Sequence, residues 1–284
     1  MGSFRSFLRL ARIDHGVMVV VAVLTGVLAA GGVESLSSGD ALLAYFSALL
    51  AEIGVFVFND VFNIEEDRVN APDRPLVRGE VTVKEACIFG ACSLALALLL
   101  AYFVNFWVFT LAVLGISVSM LYNKYVKRIG PLGNAVVAFS TALPFVYGSA
   151  SVVSSIWEVP LCSWVFFGIA ALATYSREIV KGIKDVEGDS RVGVRTYAVL
   201  WGEERAAKLA LIFIVAAVLL SFPAYLYVKN QFLYAVLVAP TDLVLMYSSL
   251  IITLSPSREI AEKSRKLSLL GMALGILAFL GGSV

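Results

Sequence analysis

The chain has 284 residues, 60% of them hydrophobic and only 15% charged, with a formal net charge of +1. Soluble domains carry roughly 25% charged residues, so this composition excludes an ordinary water-soluble fold, and the charge balance gives no reason to expect a nucleic-acid partner. Three cysteines (Cys87, Cys92, Cys162) without CxxC spacing imply neither a metal cluster nor a disulfide framework, and a single histidine, His15, excludes multi-histidine metal sites.

Crossing a ~30 Å hydrocarbon core takes roughly 20 apolar residues in a helix. The first apolar run, "HGVMVVVAVLTGVLAAGG", lacks a small-residue cleavage site and is followed by many similar runs. It is therefore read as a retained helix and not a signal peptide. In chain order the apolar windows predict nine spans, near 15–33, 41–62, 85–104, 106–123, 131–152, 159–180, 208–228, 231–254 and 267–283. Spans three and four are separated only by a turn around Asn105, which predicts a helical hairpin. The expectation is an all-α polytopic membrane protein: one integral-membrane domain over 1–284, with nine transmembrane helices around a central cavity open to the cytoplasmic side.

Basic residues test the count. With nine spans, every Lys and Arg except Lys229 falls on the side of the N-terminus: Arg5, Arg9 and Arg12, then three loop clusters, then Arg258, Lys263, Arg265 and Lys266. The positive-inside rule places that side in the cytoplasm. The longest polar segments, 63–84 and 181–207, share it, and they follow spans two and six in a pattern that hints at a pseudo-repeat.

Carboxylates gather in those two segments. In "FNDVFNIEEDRVNAPDRP" (58–75), Asp60, Asn63 and Asp67 fall at i, i+3 and i+7, one face of a helix. In "SREIVKGIKDVEGDSR" (176–191), Asp185 and Asp189 are four apart, with Lys181 and Arg177 further back on the same face. Stacked like charges destabilise a bare helix by a few tenths of a kcal/mol, and a divalent cation between them reverses the sign. Hard carboxylate oxygens suit Mg²⁺, which keeps waters and takes substrate phosphate oxygens. Neighbouring Lys and Arg would neutralise a departing diphosphate, and the apolar bundle behind would hold a hydrocarbon tail. A lipidic diphosphate fits both halves. The alternative for each cluster is a solvated set of interface residues.

These residues resemble the UbiA superfamily of intramembrane prenyltransferases, whose hallmarks are N-D-x-x-D-x-x-x-D after the second helix and D-x-x-x-D after the sixth. Here they read "NDVFNIEED" (59–67) and "DVEGD" (185–189). The likeness extends to "NAPDRPLVRG" (70–79), "LYNKYVKR" (121–128) and "GPLGNAVVAFSTALP" (130–144), and so runs along most of the chain. "REIVKGIKDVEGD" and "RTYAVLWGEERAAK" are most similar to the archaeal members that attach the second isoprenoid ether chain to geranylgeranylglyceryl phosphate. The resemblance implies ionisation of an allylic isoprenyl diphosphate, with geranylgeranyl diphosphate the expected donor, held by a Mg²⁺ cofactor. The cation is then captured by a lipid hydroxyl, or by an aromatic acceptor as in other members.

It also implies residue roles. Asp60, Asp67, Asp185 and Asp189 are the expected metal-binding catalytic carboxylates. Asn59 and Asn63 complete the site, Asn63 ligating through its amide oxygen where the family usually has an aspartate, with Glu66 as a possible substitute charge. Arg74, Arg78, Lys127, Arg177 and Lys181 are candidates for the diphosphate or the acceptor's phosphate, or ordinary positive-inside residues. Tyr122 and Asn123 stand at the mouth of span four, where Tyr122 either screens the cation or belongs to the aromatic belt. Arg9, Arg12 and His15 meet the acceptor phosphate or anchor the surface. Glu52 and Asp242 lie within spans two and eight, where acids usually face the bundle interior; neither receives a role. Phe and Tyr side chains are candidates to line a tunnel that stabilises the carbocation.

Two other classes are weighed. A membrane alcohol-phosphatidyltransferase would need D-x-x-D-G-x-x-A-R, which is absent. A secondary transporter would concentrate charges near the midplane, whereas here they collect at one end of the spans.

Overall fold

The computed structural model describes residues 3–191 and 193–284. Among them all regular structure is helical. The elements are α1 (Phe4–Ala11), α2 (Ile13–Gly31), α3 (Gly39–Phe62), α4 (Ile64–Asn70), α5 (Val83–Val104), α6 (Phe106–Lys124), α7 (Gly130–Ala150), α8 (Leu161–Lys184), α9 (Val186–Arg191), α10 (Tyr197–Trp201), α11 (Glu203–Ala224), α12 (Gln231–Leu254) and α13 (Arg258–Ser283), with short 3-10 turns between some of them.

Side chains that satisfy free backbone amides set the helix starts. Ser38 Oγ accepts from the Ala41 amide at 3.2 Å to open α3, and Thr82 with Glu85 forms a reciprocal capping box at α5. The hairpin expected at Asn105 is present. Asn105 is extended, its Oδ1 accepts from the Val108 amide at 2.9 Å, and its Nδ2 donates to Ala150 O at 2.8 Å. One residue therefore ends α5, starts α6 and ties the turn to α7.

Seven helices (α3, α5, α6, α7, α11, α12 and α13) are long and apolar enough to cross a membrane, and the bent pair α1–α2 makes an eighth. The expected sixth span, α8, has the length, 24 residues, but its last two turns carry Arg177, Glu178, Lys181 and Lys184. Those residues lower its apolar character, although Glu178, Ile179, Val180 and Ile183 in the same turns stay buried in the bundle. The polar segments are also more regular than expected, since 63–84 contains α4 and 181–207 contains α9 and α10. Helix α13 begins nine residues before the predicted span, capped by Ser257 and bearing the pairs Glu262–Arg265 and Glu262–Lys266 on its first turns.

Neighbouring helices follow one another around a closed circuit, α2–α3–α5–α6–α7–α8–α11–α12–α13, and α13 returns to pack on α2. Lipid offers helices no hydrophobic drive to associate, so small residues and buried hydroxyls do the joining. Between α2 and α7, a methyl on Gly26 would collide with Phe145 O and one on Gly148 with Val23 O. Ser149 Oγ donates to Gly26 O at 2.8 Å in the same seam. Outward-facing residues such as Ile212, Leu219, Leu243 and Leu254 remain exposed, as a lipid-facing surface requires.

Candidate active site at the polar end of the bundle

The last turn of α3 delivers Asn59 and Asp60 to the polar end, and there the helix breaks. The sequence pattern predicted one continuous face through Asp60, Asn63 and Asp67. Instead Asn63 caps α3 with φ −109° and ψ 17°, and α4 restarts at Ile64. Hydrogen bonding continues across the break: the Asn63 amide donates to Asn59 O at 3.1 Å and the Asp67 amide to Asn63 O at 2.9 Å. Asp60, Asn63 and Asp67 therefore all remain buried.

Buried carboxylates must be paired, and here arginines pair them. Arg74 Nη1 donates to Asp60 Oδ1 at 2.9 Å and also to Asp67 Oδ2. Arg12 Nη2 donates to the same Asp60 oxygen at 2.5 Å. Two carboxylate oxygens from either side of the break thus converge on one cationic nitrogen. Arg12 reaches them from the junction of α1 and α2, where it is the only described non-glycine residue with positive φ, 47°. A side chain in that region costs backbone energy. Its guanidinium also lies 4.6 Å from the Phe56 ring centroid, an arrangement that favours a cation.

The second cluster repeats the geometry. Asp185 caps α8 with φ −99° and ψ 8°; its amide donates to Lys181 O at 3.0 Å, and the Asp189 amide to Asp185 O at 2.9 Å. Among the described residues neither carboxylate has a hydrogen-bonding or ion-pair partner. Burial pushes the Asp189 carboxyl up to about 6, the nearby Asp185 charge adds to this, and Lys181 and Lys127 oppose it. Glu178, one turn back from Lys181, is buried and lies 3.5 Å from Lys181 Nζ and 3.4 Å from Arg177 Nη1.

Lys127, just beyond α6, connects the halves. Its Nζ donates to Asn63 Oδ1 at 2.9 Å and pairs with Glu66, and its charge also acts on Asp189. Asn59 Nδ2 donates to Asn123 Oδ1 at 2.7 Å, and Asn123 Nδ2 to Val55 O at 3.1 Å. From Asn59, Tyr122 and Asn123 a cavity of about 370 Å³ runs into the bundle between α2, α3, α6, α7, α8, α12 and α13. Phe56, Phe145 and Phe279 line it, with His15, Glu52 and Asp242 as its other titratable groups.

Most of the predicted site residues meet here: Asn59, Asp60, Asn63, Asp67, Arg74, Tyr122, Asn123, Lys127, Lys181, Asp185 and Asp189. Arg78 does not. It is half exposed and turned to Glu80 at 3.5 Å and Asp73 at 3.8 Å. Arg177 lies toward Glu262 and Arg265 of α13, and its Nε is buried without a partner among the described residues. Arg12 on Asp60 and Glu178 between two cations were not predicted. Glu178 was legible as the i, i+3 partner of Lys181; Arg12, 48 residues before Asp60, carried no linear signal.

The donor set suits Mg²⁺. Among the described residues Asp185 and Asp189 have no hydrogen-bonding or ion-pair partner, while Asp60 and Asp67 share Arg74, with the Asn63 amide oxygen beside them; all are hard oxygen ligands. Among the described residues no group of three or more His, Cys, Asp or Glu closes around one point. Such a half-built set leaves coordination positions for substrate phosphate oxygens and water.

A closed circuit of membrane helices with a carboxylate-lined mouth and an apolar cavity defines an intramembrane enzyme for lipidic substrates. Residues 18–270 match the UbiA prenyltransferase family, and the chain belongs to it. The digeranylgeranylglyceryl phosphate synthase of Thermococcus kodakarensis is 32% identical over 99% of both chains. A solved structure of a digeranylgeranylglyceryl phosphate synthase superposes with a TM-score of 0.83 at 28% identity, covering 98% of each chain. A UbiA homologue from Archaeoglobus fulgidus bound to GPP and Mg²⁺ superposes with a TM-score of 0.66, covering 96% of this chain and 99% of that one. At 21% identity it bears on the fold alone.

Proposed function

We propose that this chain is a Mg²⁺-dependent prenyltransferase that moves a geranylgeranyl group from its diphosphate to the hydroxyl of geranylgeranylglyceryl phosphate, forming the second ether of an archaeal lipid. The supporting observation is the convergence of both acidic motifs, joined by Lys127, over the mouth of an apolar cavity. Full-length similarity to synthases of that name supports the choice of acceptor.

Mg²⁺ would supply charge neutralisation of the leaving diphosphate, held by Asp60, Asp67, Asp185 and Asp189, with Asn63 contributing its amide oxygen. Arg74, Lys127 and Lys181 stand beside these carboxylates and would bind phosphate oxygens the metal leaves free. Arg12, which reaches Asp60 from the junction of α1 and α2, would take the phosphate of the acceptor. Asn123 holds Asn59, and Phe56 and Tyr122, which line the cavity, would lend aromatic surface near the carbon that becomes cationic. The cavity is lined mainly by apolar side chains, which would shield the allylic cation from solvent until it meets the acceptor hydroxyl. With the basic loops clustered at this end, the positive-inside rule puts the N-terminus and the site on the cytoplasmic face.

Purified protein given geranylgeranyl diphosphate, Mg²⁺ and either geranylgeranylglyceryl phosphate or a panel of aromatic acids tests this reading. The expected product is the diether phosphate with release of diphosphate. Transfer only to an aromatic acid would overturn the choice of acceptor.

A further inference from the structure

Ether formation from an alcohol releases a proton, and none of the roles assigned above receives it. The geometry points to Glu52 as the group that does, an inference that rests on the transfer reaction proposed above. Glu52 lies seven residues before Asn59 on α3, two turns along the same face, and so about 10 Å deeper in the bundle. It lines the main cavity and also a smaller chamber of about 90 Å³ between α2, α3, α6 and α7, and it stands where the two meet. Among the described residues its carboxyl has no hydrogen-bond or ion-pair partner.

An acid inside a membrane bundle is costly and marks function by default, and an unpartnered one most of all. The other intramembrane acid in the cavity, Asp242, is already occupied: Ser221 Oγ donates to its Oδ2 at 2.7 Å. Above Glu52, one turn nearer the mouth, Phe56 packs with its ring centroid 5.0 Å from His15 and with the Arg12 guanidinium over its face. A cation thus sits between Glu52 and the metal carboxylates, keeping the anionic form of Glu52 from being isolated. An acceptor whose phosphate rests on Arg12 carries its hydroxyl a few bonds deeper, toward Glu52. The hydroxyl oxygen gives its lone pair to the allylic C1 as the C1–O bond to diphosphate breaks, its electron pair leaves with the diphosphate, and the proton passes to the Glu52 carboxylate.

The isosteric change Glu52→Gln tests this in the full-length protein in detergent. The other titratable groups lining the two cavities are His15 on α2, Tyr122 on α6, Tyr147 on α7 and Asp242 on α12, and the Arg12 charge also acts on Glu52; all remain in the variant. Wild type should transfer geranylgeranyl to geranylgeranylglyceryl phosphate with a rate that falls as pH drops. Glu52→Gln should bind a non-ionising geranylgeranyl thiolodiphosphate with Kd within about threefold of wild type yet lose about 100-fold or more in kcat, the size of a general-base contribution. Its acidic limb in the pH–rate profile should vanish, and Glu52→Asp should recover most of the rate. Turnover within threefold of wild type on an unchanged pH profile would overturn the assignment, as would a loss confined to the acceptor's KM or one that falls on Asp242→Asn instead. A wild-type protein that binds the thiolodiphosphate but transfers nothing to this acceptor would refute the parent reading, and this assignment with it.

Discussion

Asn63 and Asp185 occupy matching breaks in the chain. Each caps a long helix with similar backbone angles, donates its amide to the carbonyl four residues back, and accepts the amide of an aspartate four residues on: Asp67 for Asn63, Asp189 for Asp185. The pseudo-repeat hinted at by the spacing of the polar segments is thus a repeat of backbone geometry, with one position differing in charge. Asn63→Asp should make the halves alike. Lys127 already donates to Asn63 Oδ1, so the new carboxylate keeps its partner. The Mg²⁺ concentration for half-maximal turnover should fall about fivefold, close to 1 kcal/mol, with turnover at saturating Mg²⁺ little changed. An unaltered Mg²⁺ dependence would mean that the first half orients substrate and leaves the metal to the second.

Arg74 holds two buried carboxylates at once. Removing one partner of a buried ion pair leaves charge uncompensated, at a cost of a few kcal/mol. Arg74→Ala should therefore lower Tm in EDTA by about 5 °C for a chain of this size, and saturating Mg²⁺ should restore most of the difference by taking the place of the guanidinium. Thermal unfolding with and without Mg²⁺ checks this. An equal deficit in both conditions would show that Asp60 and Asp67 do not bind the ion.

Asp189 makes a prediction about pH. Its carboxyl is pushed from the ordinary 3.8 to about 6 by burial and by Asp185. The metal-free fold therefore holds this proton more tightly than the unfolded chain does. That contribution to stability is full below the unfolded value and is lost as pH rises through about 6. Mg²⁺ binds the charged form, so the rise in Tm on adding Mg²⁺ should be small at pH 5 and grow toward pH 7. Asp189→Asn should flatten that dependence. A Mg²⁺ effect equal at both pH values would contradict the placement of Asp189.

The all-helical bundle, the hairpin at Asn105 and both acidic motifs were legible because apolar periodicity and i, i+4 spacing are local signals, whereas the expected count of nine spans exceeds the seven long apolar helices and one bent pair among the described residues. Charge also located the end of the bundle where the site lies. The helix breaks at Asn63 and Asp185 were not legible, since nothing in "DVFNIEED" or "IKDVEGD" is a glycine or proline stop at the point of the break. Arg12 was anticipated only as an anchor or a phosphate ligand. Its bond to Asp60 depends on a positive-φ junction and a helix crossing that sequence spacing does not encode. Arg78 illustrates the converse: adjacent in sequence to the motif, it turns to Glu80 and Asp73 on the outer surface.

The central claim is that two motifs some 120 residues apart bind one diphosphate through Mg²⁺. Calorimetric titration of the thiolodiphosphate analogue, with and without Mg²⁺, into wild type, Asp67→Ala and Asp185→Ala tests it most directly. Wild-type binding should require Mg²⁺, and each variant should lose about 100-fold or more in affinity, about 2.8 kcal/mol, while remaining monodisperse in detergent. Binding that survives either substitution at wild-type affinity, or that needs no Mg²⁺, would contradict a shared site.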